Sequence, residues 1–161
     1  MKVYHGSKSI VKSPDVSFGR DNLDFGKGFY TTDLREQAEK WVQHFLNLGN
    51  RAFINCYDFE KDSALKEFRY KHFDSYNEDW LDFVLSNRNG GKDFLQFDIV
   101  EGGIANDKVF NTLELYLDGL IDKAEALKRL RYERPNNQIC ILNQSVIEKY
   151  VRFLRADEVC L

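Results

Sequence analysis

The apolar residues of this chain change their spacing irregularly from segment to segment, and that pattern constrains its fold more than any other feature. Runs of strand character at Lys2 to His5, Phe29 to Thr32, Arg51 to Phe59, Phe94 to Val100, Gln138 to Leu142 and Tyr150 to Leu154 are mixed with helical stretches. No regular βαβ alternation connects them, so the pattern predicts an α+β fold rather than a doubly wound parallel sheet. The clearest helix runs from about Asp33 to Leu48, with Leu34, Ala38, Trp41, Val42, Phe45 and Leu48 on one face. Asp33 and Glu36 read as its capping box, and Gly49 with Asn50 as its stop. A second helix is expected from Ser75, capped by Ser75 and Glu78, to the Asn89-Gly90-Gly91 turn, and two more, broken near Gly119, between Asp107 and about Arg131.

No internal repeat or long linker divides the chain, so residues 1–161 read as one domain, long enough to bury a core without staples. Three isolated cysteines, Cys56, Cys140 and Cys160, lack metal-ligand spacing and suit a reducing cytoplasm, as buried or idle thiols. No apolar run has the length of a membrane span or the shape of a signal peptide, so neither membrane association nor export through a leader is expected. The formal charge of -3 provides no general attraction to polyanions, although Lys128, Arg129, Arg131 and Arg134 form a local basic run. Such a run is either a wet helix face or a phosphate contact.

Three segments carry chemical promise: Val3-Tyr4-His5-Gly6-Ser7, Gly26-Lys27-Gly28-Phe29-Tyr30-Thr31-Thr32, and Asn137-Gln138-Ile139-Cys140-Ile141. A histidine can donate and accept at once, and a glycine lets a planar amide approach the main chain. Gly26-Lys27-Gly28 lacks the spacing of a dinucleotide fingerprint or a phosphate-binding loop, which argues against hydride transfer and nucleotide hydrolysis. Lys27 reads as solvated, and Arg20, Asp21 and Asp24 either touch a substrate or are solvated loop residues, the second reading being preferred. The polar stretch Ser7 to Asn22 reads as a long loop, a common place for function.

In this order, with a helix after the second, the segments resemble the His-Tyr-Glu signature of ADP-ribosyltransferases of the diphtheria-toxin and poly(ADP-ribose)-polymerase type. Asp98-Ile99-Val100-Glu101-Gly102 through Ala105-Asn106-Asp107 further resembles a bacterial family of transferase-like domains of unknown function. The resemblance implies a split β-sandwich with helices around a cleft for NAD, used as substrate and without a metal. It places His5 on the adenosine ribose, the Gly6 backbone against the nicotinamide carboxamide, and Ser7, Gly28 and Thr32 beside the cofactor. Tyr30 would stack on the nicotinamide ring, and Trp41 either opposes it or belongs to the helix core. An aromatic pair suits a cationic pyridinium ring.

Gln138 occupies the position where the resembled family has its catalytic glutamate. Glutamine keeps a hydrogen bond to the nicotinamide ribose but supplies no negative charge, and loss of one such group typically costs about 10²-fold or more in rate. Single transfer, slow transfer, or binding without turnover follow as alternatives. Glu101 and Asp107 are the carboxylates that could compensate, with Asp107 equally readable as part of a helix cap. The resemblance implies mono-ADP-ribosylation of a macromolecular acceptor, protein or nucleic acid, by a cytoplasmic toxin or defence effector that a cognate antitoxin protein restrains. The alternative is a degenerate NAD or ADP-ribose binding module.

Overall fold

The computed structural model describes residues 1–160 and is α+β, with two sheets. Strands β1 (Lys2–Ser7), β3 (Ala52–Phe59) and β7 (Val151–Val159) form an antiparallel sheet in the order β1-β3-β7. The second sheet has the order β2-β6-β5-β4, built from β2 (Phe29–Thr31), β4 (Tyr70–His72), β5 (Ile99–Gly103) and β6 (Asn137–Ile141). Only its β4-β5 pair is parallel. An isolated antiparallel bridge between Tyr4 and Thr32 joins the two sheets, with backbone bonds of 2.8 and 3.0 Å.

Strand alternation sorts the apolar residues into layers, because successive side chains point to opposite faces. Val3, Tyr57 and Phe59 from the first sheet meet Phe29, Ile99, Ile139 and Ile141 from the second. Helix α1 (Arg35–Asn47) covers the far face of the first sheet with Ala38, Val42 and Leu46 against Ala52 and Ile54. Helices α3 (Glu78–Arg88), α4 (Asp107–Leu117) and α5 (Lys123–Leu130) cover the far face of the second, packing Trp80, Leu81, Val84, Leu113 and Leu130 around Val100 and Cys140. Helices α2 (Lys61–Glu67) and α6 (Gln144–Tyr150) close the core between the sheets with Ala64, Val146 and Ile147. No helix among the described residues is long and apolar enough to cross a membrane.

Several elements depart from sequence expectation for local reasons. The Asp33 and Glu36 capping box does not form: Thr32 Oγ1 receives the Leu34 amide at 3.1 Å, while Asp33 accepts from the Asn137 side chain. Asn77, rather than Ser75, caps α3 by accepting the Trp80 amide at 2.9 Å. Phe94 to Gln96 lies in a 3-10 turn that starts at Asp93, not in a strand, and β5 begins only at Ile99. Asn87 holds this turn by accepting the Phe94 amide. The last strand extends to Val159, since its outer half pairs with β3 up to Ala52. Helix α1 stops at Gly49 as expected, where φ is 74°.

Candidate functional site

Besides the Tyr4–Thr32 backbone bridge, the first two motif segments meet through one side-chain hydrogen bond. His5 Nδ1 lies 2.7 Å from the Tyr30 carbonyl oxygen. A carbonyl only accepts, so Nδ1 carries the proton and Nε2 keeps its lone pair. Burial pulls the His5 pKa below that of an ordinary histidine, against the opposing effect of the carbonyl, and the ring stays neutral near pH 7. The imidazole also packs on Phe29, with centroids 4.6 Å apart.

At Gly6, a Cβ would stand 2.5 Å from Val42 Cγ1 and 3.1 Å from both the Ala38 oxygen and Trp41 Cδ1. Only glycine therefore lets α1 sit directly on β1, and the same contact holds Trp41 beside the Gly6 backbone. Trp41 is 56% exposed while Val42 is fully buried, so the buried stripe of α1 is Ala38, Val42 and Leu46, and the indole belongs to the open flank. Leu34 and Leu48, expected in that stripe, are exposed as well. Ser7 accepts the Ser9 amide at 3.2 Å and turns the chain out of β1. Asn55, which the sequence does not single out, secures the loop that follows. It accepts the Val11 amide and donates to the carbonyls of His5 and Ser9.

In the second segment, Tyr30 is half-buried. Its hydroxyl donates to the Gly26 carbonyl at 2.6 Å and accepts the Phe25 amide at 3.1 Å. Burial, reinforced by Cys140, raises its pKa, so the phenol remains protonated. Gly26 has φ of 90°, and a side chain at Gly28 would collide with the Ile141 carbonyl and the Cys140 sulfur, so this loop folds flat against β6. Thr32 donates to the Asn137 carbonyl at 2.8 Å, which leaves its hydroxyl fully engaged within the fold. Lys27 lies 3.7 Å from Asp21. Asp24 is not a solvated loop residue: it pairs with Arg88 at 2.6 Å, both side chains being largely shielded from water.

The β2-β6 ladder brings in the third segment by pairing Tyr30 with Cys140. Alternation puts Gln138 on the same sheet face as Cys140 and Tyr30. Gln138 is 8% exposed and donates from Nε2 to the Gly103 carbonyl at 3.4 Å, while Oε1 has no partner among the described residues. That carbonyl also accepts from Trp80 Nε1 at 3.2 Å. Cys56 and Cys140 are buried, and burial pushes the Cys140 thiol up in pKa and makes it unreactive. Cys160 is exposed.

Glu101 lies on the opposite face, with Ile99 and Ile139. It accepts from Tyr70 at 2.5 Å and Asn137 at 2.9 Å, and pairs with Lys61. Burial opposes its ionisation, but these three donors outweigh burial and hold its pKa below the usual glutamate range. Its oxygens are thus occupied, and they face away from Gln138. Asp107 is exposed in the first turn of α4, where Asn106 provides the cap by accepting the Val109 amide. The His5 ring thus reaches the Tyr30 backbone, Trp41 lies beside Gly6, and Tyr30 and Gln138 share one face of the second sheet, while both auxiliary carboxylates lie elsewhere. No group of three metal-ligating side chains occurs among the described residues.

A family model with the description "Protein of unknown function (DUF3990)" matches residues 1–153. No curated protein and no solved structure matches the chain.

Proposed function

The chain belongs to the family described as proteins of unknown function (DUF3990), and from its site geometry we propose that it is an NAD-dependent mono-ADP-ribosyltransferase on a split β-sandwich. One observation carries this: His5, fixed to the Tyr30 carbonyl through Nδ1, keeps Nε2 as an acceptor at the junction of two sheets, with an exposed indole beside Gly6. A neutral imidazole acceptor suits a ribose hydroxyl. The Gly6 main chain suits a carboxamide that must approach closely. The open face of Trp41 suits a pyridinium ring, an attraction of about 0.5–2 kcal/mol, with Tyr30 on its other side.

In the reaction, the bond between C1′ of the nicotinamide ribose and the ring nitrogen breaks, and its electron pair leaves with neutral nicotinamide. An acceptor lone pair forms the new bond to C1′, and the acceptor proton passes to water. Gln138 orients the ribose through Oε1 but adds no charge, which makes the chemical step slow and limits it to one transfer. The buried, paired Glu101 does not replace that charge. In the cell, such an activity fits a toxin or defence effector with a restraining partner protein.

The amide at Gln138 also favours a second reading, a module that binds NAD or ADP-ribose without turnover. Incubation of the protein with NAD labelled on its adenylate half, in a bacterial lysate, separates the two. Label in a macromolecular fraction, lost in His5→Ala and Gln138→Ala, supports the transferase. Binding without label transfer or nicotinamide release supports the module.

A further inference from the structure

We infer that the acceptor docked beside Gln138 is a single-stranded nucleic acid, held by the segment that links α5 to β6. For its transfer step this rests on the proposed transferase function; the docking is a separate matter. Helix α5 buries Ala126 and Leu130, which turns Lys128, Arg129 and Arg131 outward. Tyr132 follows and is 78% exposed, second to Phe18 among the exposed large hydrophobic side chains of the described residues. Pro135 then returns the chain to the sheet, its Cβ 2.9 Å from where a side chain at Gly103 would begin. Gly103 is the residue whose carbonyl receives the Gln138 amide, so the segment is anchored at the proposed reaction centre.

Charge separates this surface from the rest of the chain. Five cations stand against two carboxylates between Lys123 and Pro135, in a chain whose formal charge is -3. Lys123 is consumed by Glu78 and Asp82, and Arg129 by Glu125. Lys128, Arg131 and Arg134 pair with no carboxylate among the described residues. A cleft of about 330 Å³ opens beside Arg131, lined also by Tyr76, Leu127, Leu130, Asn77, Glu133 and Glu78, the last already paired with Lys123. Unpaired cations answer phosphates, and a bare ring answers the π-face of a base. Glu133 supplies an acceptor for base amino groups at this cleft. An acidic peptide would satisfy the cations but leave the ring and the Glu133 carboxylate without a role.

Transfer here breaks the C1′ to nicotinamide nitrogen bond, forms a bond from a nucleotide oxygen or nitrogen to C1′, and sends the acceptor proton to water. The test uses the full-length chain, fluorescent unstructured 12-nucleotide RNA and DNA, and the variants Tyr132→Ala and Arg131→Glu/Arg134→Glu. Three phosphate contacts predict about tenfold to twentyfold weaker binding between about 50 and 200 mM salt. Loss of the stacking ring predicts weakening of at least about fivefold. Nicotinamide release into water stays at the wild-type rate in both variants, while label transfer to the oligonucleotide falls with binding. Oligonucleotide binding that is absent, or that both variants retain, overturns the inference. So does label that appears on protein while both oligonucleotides stay unlabelled. If no preparation releases nicotinamide, the transferase reading falls, and the anisotropy titration still decides the docking.

Discussion

Gln138→Glu exchanges a buried amide for a carboxylate at one point, and its two consequences have opposite signs. In the native protein, Nε2 donates to the Gly103 carbonyl at 3.4 Å, a long and therefore weak bond. A carboxylate oxygen in its place faces a carbonyl that can only repel it, inside a position that is 8% exposed. Loss of the donor and partial desolvation of the charge cost about 1–3 kcal/mol. For a chain of this length, 2 kcal/mol lowers the Tm by about 4–8 °C. In the proposed transferase the same charge would lie where positive charge develops on the ribose, and a well-placed electrostatic group contributes about 10²-fold in rate. Nicotinamide release measured by chromatography should therefore rise by about that factor while the thermal melt falls. Burial raises the pKa of the introduced carboxyl, so the gain should grow as pH increases from acid to neutral. A folded variant that releases nicotinamide no faster than the native protein at neutral pH would refute the role given to Gln138.

Asp98 takes the Arg69 guanidinium and amide and the Asn143 side chain, which holds its pKa near 2, below the usual value of 3.8. A depressed carboxylate stabilises the fold above its unfolded pKa, and the contribution disappears as pH falls from about 4 to 2; with the exposed Arg69 screened by water it is about 1–2 kcal/mol. The stability lost between pH 6 and about pH 2.5, from urea titrations, should be smaller in Asp98→Asn than in the native protein by about that amount. Glu101→Gln leaves Lys61 half-buried without its partner and should cost about 3 kcal/mol, part of which a Lys61→Met exchange in the same chain restores, as denaturant midpoints would show. Gly6→Ala forces Val42 and Trp41 from β1, at about 1–3 kcal/mol, and should weaken NAD binding beyond its effect on stability.

The alternation of strand and helix segments was legible because apolar periodicity is a local property, and α1 and the Gly119 break were found from it. What stayed hidden was set by contacts distant in sequence. Apolar residues at helical spacing cannot say which side of α1 meets β1; the fit of Val42 over Gly6 decides it and leaves Trp41 outside. Helix α2 and strand β4 escaped because each is short and owes its place to tertiary pairing, β4 to its parallel ladder with β5. The polarity of the Glu101 neighbourhood suggested a site, yet one residue of register puts its side chain on the opposite face from Gln138, against Lys61 and Tyr70. Asn55 carried no signal, because an asparagine in a strand reveals its loop-binding role only once the loop is folded over it.

NAD binding against the open face of Trp41 is the central claim, and the chain contains its own probe. Of its two tryptophans, Trp41 is 56% exposed and Trp80 is fully buried. Titration of the protein with NAD, followed by tryptophan emission, should give saturable quenching that vanishes in Trp41→Phe and weakens in His5→Ala. The absence of saturable quenching, or equal quenching in Trp41→Phe, would contradict the account.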